Sequence, residues 1–215
     1  QINSFIRILE DKDSRLTIED IFLLDKDTDF ENTPESENLN IGYSQSSYWF
    51  MLEVKSTGSD AQKEWWLQLD LPLLDHSEFY IWSAKERSPT SIIRKKMGYN
   101  TPLKDRDVNH VTQVYRFTLK PDEHAVIALK IKSDFSIHLP LYIYSPAGFV
   151  DSVAVEELLY GTFMGSILIL IAYNLFMFIS VREKTFLFYI SYMASYLIFL
   201  ITERVHGLSL IGEIP

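Results

Sequence analysis

Residues 160–201, YGTFMGSILILIAYNLFMFISVREKTFLFYISYMASYLIFLI, divide the chain into two unlike polymers. Residues 158–181 carry no charge. A helix of that length rises about 36 Å, enough to cross a hydrocarbon core of about 30 Å with some tilt. Residues 185–202 are also uncharged and long enough for a second, shorter span. Two successive helices apolar on every face do not suit a soluble core, where one face of a helix meets water. The pattern predicts membrane spans at 158–181 and 185–202, joined by a hairpin at 182–184.

The hairpin holds Arg182 and Lys184, whereas the flank before the first span is Glu156-Glu157. Excess Lys and Arg mark the cytoplasmic side, so the hairpin is expected inside and residues 1–157 outside. The spans also carry polar information. Gly161 and Gly165, followed by Ala172, would let a neighbouring backbone approach closely. Thr185, Tyr189, Tyr192 and Tyr196 recur at helical spacing, and Asn174 sits in the first span. Such a stripe is unfavourable toward lipid tails and normally faces other helices. The two spans are expected to begin a larger bundle.

The chain has 215 residues and a formal net charge of -9, yet residues 151–215 hold only three of its 20 Lys/Arg and six of its 29 Asp/Glu. The first 150 residues therefore have the charge of a water-soluble domain and the length for one core. The acidic balance argues against a nucleic-acid surface, which needs a clustered basic face. Arg94, Lys95 and Lys96 form the one dense cationic run and are expected in a solvated loop. The absence of cysteine removes disulfides, thiolate metal sites and a thiol nucleophile. The chain starts at Gln1 without a basic and apolar leader, the pattern left by a cleaved signal or a trimmed segment. The ending at Pro215 likewise suggests a fragment.

Upstream of the spans, periodicity is that of strands. Short runs occur at 21–24, 48–54, 65–71, 79–82, 111–119, 125–131 and 137–144. Turn chemistry at 56–60, 99–102 and 120–122 separates several of them. Many short strands at this spacing predict a two-sheet sandwich or jelly roll. Alternation assigns faces: Trp65, Leu67, Leu69 and Leu71 oppose Trp66, Gln68 and Asp70. Tyr48, Phe50, Leu52 and Val54 oppose Trp49, Met51 and Glu53, and Phe79 and Ile81 oppose Tyr80 and Trp82. Trp49, Trp66 and Trp82 thus fall with the polar sets, where they could stack on a ligand's apolar face. The alternative is that they pack under loops or against the helical part.

No catalytic fingerprint is present. His76, His110, His124, His138 and His206 lack metal-ligand spacing, and Asp70, Asp75 and Glu78 do not single themselves out as an acid/base pair. Nucleotide-binding glycine loops and a nucleophile elbow are also missing. The expectation is a non-enzyme without cofactor or metal.

The stretches GYSQSSYWFMLEV (42–54), WWLQLDLPLLDHSEFY (65–80), MGYNTPLKDR (97–106), IALKIKS (127–133) and LPLYIY (139–144) occur in that order. Together they resemble the type 2 extracellular sensor domain of bacterial seven-transmembrane receptors with diverse intracellular signalling modules. ELLYGTFMGSILILIAYNLFMFISVREKTFLFY (157–189) is similar to the first span and hairpin of those receptors. The resemblance covers roughly residues 20–207. It implies a mainly β, jelly-roll sandwich similar to carbohydrate-binding modules, then seven spans and an output domain such as a histidine kinase, diguanylate cyclase or phosphatase. Trp49, Gly98 and Arg106 fall at positions that recur in the family.

The resulting layout is an N-terminal extension at 1–19, a periplasmic or extracellular sandwich at 20–150, a linker at 151–157, the two spans, and an outer loop beginning at 203–215. The candidate ligand-binding residues are Trp49, Trp66, Trp82, Tyr99 and Arg106. Expected partners are a small-molecule or carbohydrate-like ligand, or another receptor's sensor domain in a homodimer, with the bacterial inner membrane as the location. A membrane-tethered envelope- or carbohydrate-binding module without signalling is the alternative; a membrane-anchored enzyme or transporter subunit is a third.

Overall fold

The computed structural model describes residues 6–24, 29–32, 40–57, 63–71, 74–85, 91–98, 101–134 and 136–209. They form two compact units, a β-sandwich and a helical pair.

The sandwich contains eleven described strands: β1 Arg7–Asp11, β2 Glu31–Asn32, β3 Asn40–Gly42, β4 Ser47–Lys55, β5 Lys63–Leu69, β6 His76–Ser83, β7 Ile93–Met97, β8 Gln113–Leu119, β9 His124–Lys132, β10 Ile137–His138 and β11 Leu141–Tyr144. The larger sheet has the order β2-β1-β4-β9-β6-β7, the smaller β11-β5-β8, and β10 pairs with β3. Every pairing is antiparallel. The chain crosses from the large sheet at β4 to the small one at β5, back at β6, across again at β8 and back at β9. This repeated crossing is jelly-roll topology.

The alternating strand faces create the core between the sheets. Phe50 and Leu52 of β4, Leu67 and Leu69 of β5, Phe79 and Ile81 of β6, and Ile127, Leu129 and Ile131 of β9 meet there. A polar tie joins the layers: Ser77 Oγ of β6 contacts Gln113 Oε1 and lies 2.6 Å from Tyr115 Oη of β8. Gln113 Nε2 in turn donates to Leu74 O at 2.9 Å, so these buried polar groups are partnered.

The central strands of the large sheet are buried on both faces. Trp49, Met51, Tyr80, Trp82, Val126 and Ala128 point away from the main core into a second apolar layer, closed by Ile18 and Ile21 of α1 Ile18–Leu23. The run at 21–24, expected as strand, is thus mostly helix. Its start is set by a capping box in which Thr17 and Asp20 exchange side-chain and backbone hydrogen bonds. Residues 7–11, expected in an extension, pair with β4 over five positions. The Arg94–Lys96 run, expected in a loop, lies on β7, an edge strand, where surface cations discourage edge-to-edge association.

The helical unit consists of α2 Pro146–Val181 and α3 Lys184–Ser209. The first helix takes in the expected linker and the end of the expected sandwich segment, and the second continues past residue 202. The 36 residues of α2 extend over about 54 Å, more than a hydrocarbon core requires. Arg182, at φ 57°, closes α2 with its N–H donating to Phe178 O at 2.8 Å. Tyr160 Oη donates to Leu200 O at 3.1 Å, linking the two helices. Asn174 Nδ2 donates to Leu170 O at 2.8 Å, so this amide donor is satisfied within its own helix. The hydroxyls of Thr162, Ser166, Ser180, Ser191, Ser195 and Thr202 likewise donate to the carbonyl four residues earlier.

Candidate functional site

Three aromatic residues of the small sheet, Trp66, Tyr142 and Tyr144, fall on its outer face, while Trp65, Tyr115 and Phe117 face the core. β-Register places Tyr144 of β11, Trp66 of β5 and Arg116 of β8 in one cross-strand row, and Tyr142, Gln68 and Val114 in the next. Tyr142 and Tyr144 stack with ring centroids 5.9 Å apart. Trp66 is half-buried, and its indole N–H donates to Glu64 Oε1 at 2.8 Å. Arg116 lies 4.0 Å from the same carboxylate. The row presents flat aromatic surface beside fixed polar groups. Burial, with the nearby Asp70 carboxylate adding to it, pushes the Tyr142 hydroxyl up, so it remains a donor at neutral pH.

The row runs into a cleft of about 400 Å³ between the free edges of β7 and β8. Ile81, Ile93, Phe117 and Leu119 supply apolar wall; Glu64, Lys95, Arg116 and Glu123 supply charge. Lys95 is held in place by the Asp107 carboxylate and by Arg116 O at 2.7 Å. An apolar wall with few oriented polar groups is the usual make-up of a small-molecule site.

The sequence-derived candidates separate in the structure. Trp66 is the one on the aromatic row. Trp49 and Trp82 are buried on the outer side of the large sheet. Trp49 stacks on Tyr80 at 5.7 Å, and Trp82 meets Phe22 of α1 edge-to-face at 5.7 Å. They fall with polar positions because β4 and β6 are covered on both faces, which alternation alone does not reveal. Trp82 also borders the β7–β8 cleft. Arg106 is buried in the loop before β8 and donates to the carbonyls of Gly98, Thr101, His110 and Val111 at 3.1–3.2 Å. These contacts make it a loop-organising residue. Tyr99 lies outside the described residues. Tyr142 and Tyr144 were not among the candidates, although the alternation of LPLYIY sets both tyrosines on one face and opposite the core-facing Leu141 and Ile143.

The carboxylates considered for catalysis have other partners. Asp75 accepts from Ser133 Oγ and from Asp134 N at 3.2 and 2.7 Å, and Glu78 pairs with Lys96 and Tyr80. Among the described residues no group of three His, Asp or Glu side chains is placed to hold a metal ion.

A β-sandwich followed by two helices apolar and long enough to span a membrane is the architecture of a membrane-attached module. Residues 3–145 match 7TMR-DISM extracellular 2, and residues 156–215 match the 7TM diverse intracellular signalling region. The chain belongs to this family of seven-transmembrane receptors with diverse intracellular signalling, and it is a membrane protein with an extracytoplasmic segment. No curated protein matches it. Similar solved structures include TmCBM61 in complex with beta-1,4-galactotriose, at 8% identity and TM-score 0.31 over 66% of this chain and 91% of that one. Tailspike protein 4 of bacteriophage CBA120, its enzymatically active domain, is 8% identical with TM-score 0.33 over 66% of this chain and 20% of that one. An exo-beta-1,3-galactanase from Phanerochaete chrysosporium is 7% identical with TM-score 0.24 over 56% of this chain and 32% of that one.

Proposed function

We propose that the sandwich senses a carbohydrate-like ligand on the Tyr144–Trp66–Arg116 row, with the adjoining cleft taking its polar substituents. The observation that carries this reading is the row itself: two aromatic side chains and a cation in register on one sheet face. Sugar C–H faces pack on aromatic rings, while hydroxyls need the donors and acceptors supplied by Glu64, Arg116 and Tyr142.

The row also suggests how occupancy is passed on. The chain goes from Tyr144 to α2 through Ser145 alone, so a ligand bearing on β11 acts on a strand covalently continuous with the first span. Signalling then requires the ligand to favour one packing of the membrane helices by a coupling of about 1–3 kcal/mol. In this reading residues 1–157 lie outside a bacterial inner membrane, the 182–184 hairpin lies in the cytoplasm, and the output is a cytoplasmic signalling domain.

The test is a glycan panel presented to the chain in lipid nanodiscs, repeated with Trp66→Ala and Tyr144→Ala. Both variants are expected to keep the thermal midpoint and to weaken binding by about tenfold or more, the loss of one aromatic contact or more. Binding that survives both substitutions, or a panel with no bound member, overturns this assignment.

A further inference from the structure

On β7 a core-facing residue is left bare. Ile93 pairs directly with Ile81 of β6, and Ile81 belongs to the main core between the sheets. Residues directly opposite in an antiparallel pair share a face, so Ile93 also points to the inter-sheet side. Yet Ile81 is 5% exposed and Ile93 57%. The two isoleucines line the β7–β8 cleft together with Phe117 and Leu119 of β8, which also belong to the main core. The cleft is thus a place where the core opens to the outside.

Three features limit what can cover it. The β8 edge is closed to a further strand at its middle, because the backbone groups such a strand would need are taken. Arg116 N–H donates to Asp107 Oδ2 at 2.9 Å, and Arg116 O accepts from Lys95 Nζ at 2.7 Å. The wall does not call for an ion either. Its charged members are Glu64 and Glu123 against Lys95 and Arg116, two of each sign. Finally, the cleft wraps round the edge of β8 and joins the aromatic row. Phe117 and Leu119 come from the buried face of that strand, Arg116 and Thr118 from its exposed face. Glu64 belongs to both places: it lines the cleft, accepts from the Trp66 indole at 2.8 Å and stands 4.0 Å from Arg116.

We propose that the cleft takes an apolar aglycone, so that the ligand class is a neutral sugar bearing an aryl or short alkyl group. This rests on the reading of the row as the sugar platform. Polar substituents of the sugar meet the charged rim, and the aglycone covers Ile93 and the apolar wall beside it.

The experiment compares phenyl with methyl β-D-glucopyranoside and β-D-galactopyranoside binding to the chain in lipid nanodiscs, with empty nanodiscs as the blank. In at least one pair the phenyl member is expected to bind about tenfold or more tightly, the gain from burying one ring. Ile93→Asp, at an exposed position, is expected to abolish that gain while leaving the methyl glycoside and the thermal midpoint unchanged. Ile93→Leu is expected to retain it. Equal binding of phenyl and methyl members overturns the inference and leaves the row standing. So does a gain that survives Ile93→Asp. A gain that needs Ile93 while Trp66→Ala alters neither member keeps the cleft and overturns the row. If no glycoside binds, both fall. Should Ile93→Asp not fold, Ile93→Thr, which keeps the branched shape, must cut the gain in its place.

Discussion

A Cβ placed on Gly98 would lie 2.2 Å from the carbonyl oxygen of Asp75, far inside van der Waals contact with a backbone atom that cannot swing aside. Gly98→Ala must therefore push the β7 end away from residue 75, and should cost about 3 kcal/mol, read as a fall in thermal midpoint. The Gly98 carbonyl is also one of four that accept from Arg106. Arg106→Lys keeps the charge but offers no planar fork, so it should lose most of what Arg106→Ala loses, about 3 kcal/mol. A lysine variant as stable as wild type would show that the carbonyl contacts contribute little. Both residues stand out in MGYNTPLKDR, but their role does not: a lone arginine near an aromatic stretch looks the same whether it binds ligand or backbone. Glu78 gives a pH signature. Burial raises its pKa, but hydrogen bonds from Lys96 and Tyr80 outweigh this and hold it below its usual 4.5. Its stabilisation is thus complete above the unfolded-state value and disappears as pH falls through the lower folded-state value. Glu78→Gln should flatten the acid limb of midpoint against pH, and an unchanged limb would remove Glu78 from that role.

At the scale of elements, period-2 alternation made the long strands readable: along β8, buried Tyr115, Phe117 and Leu119 alternate with exposed Arg116 and Thr118. Where both faces are covered, as in β4, β6 and β9, the same alternation still marks a strand but no longer says which side is exposed. That is why Trp49 and Trp82 resembled ligand platforms. Helix α1 is too short for a periodicity to show, so its signal is the Thr17–Asp20 capping box alone. β7 reads IRKKM, with three cations where a strand core would be apolar, because it is an edge with side chains that pair with Glu19, Asp107 and Glu78. The cap leads to a prediction: Thr17→Ala should destabilise α1 by about 1 kcal/mol. Since α1 covers Trp49 and Trp82, amide exchange should rise at 18–24 and tryptophan emission should shift toward that of wetter rings. Unchanged exchange there would mean that packing of Ile18 and Ile21 alone holds the helix.

For the whole molecule, charge and hydropathy separate the two units clearly, and the boundary errors come from a helix that starts before its apolar stretch does. Residues 146–157 are helical although they carry Asp151, Glu156 and Glu157, because nothing in the helix backbone requires the lipid-facing and the water-facing turns to differ. On the two-helix unit Tyr189, Tyr192 and Tyr196 are 55%, 69% and 41% exposed, and a Cβ on Gly161 or Gly165 would touch nothing. Both surfaces are free to meet further helices, in keeping with a seven-transmembrane family. The orientation rests on Arg182 and Lys184 at the hairpin against Glu156 and Glu157 before the first span. It can be checked cleanly because the chain has no cysteine, so any thiol introduced is the only one. Glu183→Cys, in the hairpin, and Lys55→Cys, at the exposed end of β4, keep local geometry since both side chains are exposed. In intact spheroplasts a membrane-impermeant maleimide should label the residue 55 thiol at once and the residue 183 thiol only after lysis. Labelling of position 183 in intact cells, with position 55 protected, would invert the topology and place the aromatic row on the cytoplasmic side, where it could not sense an external ligand.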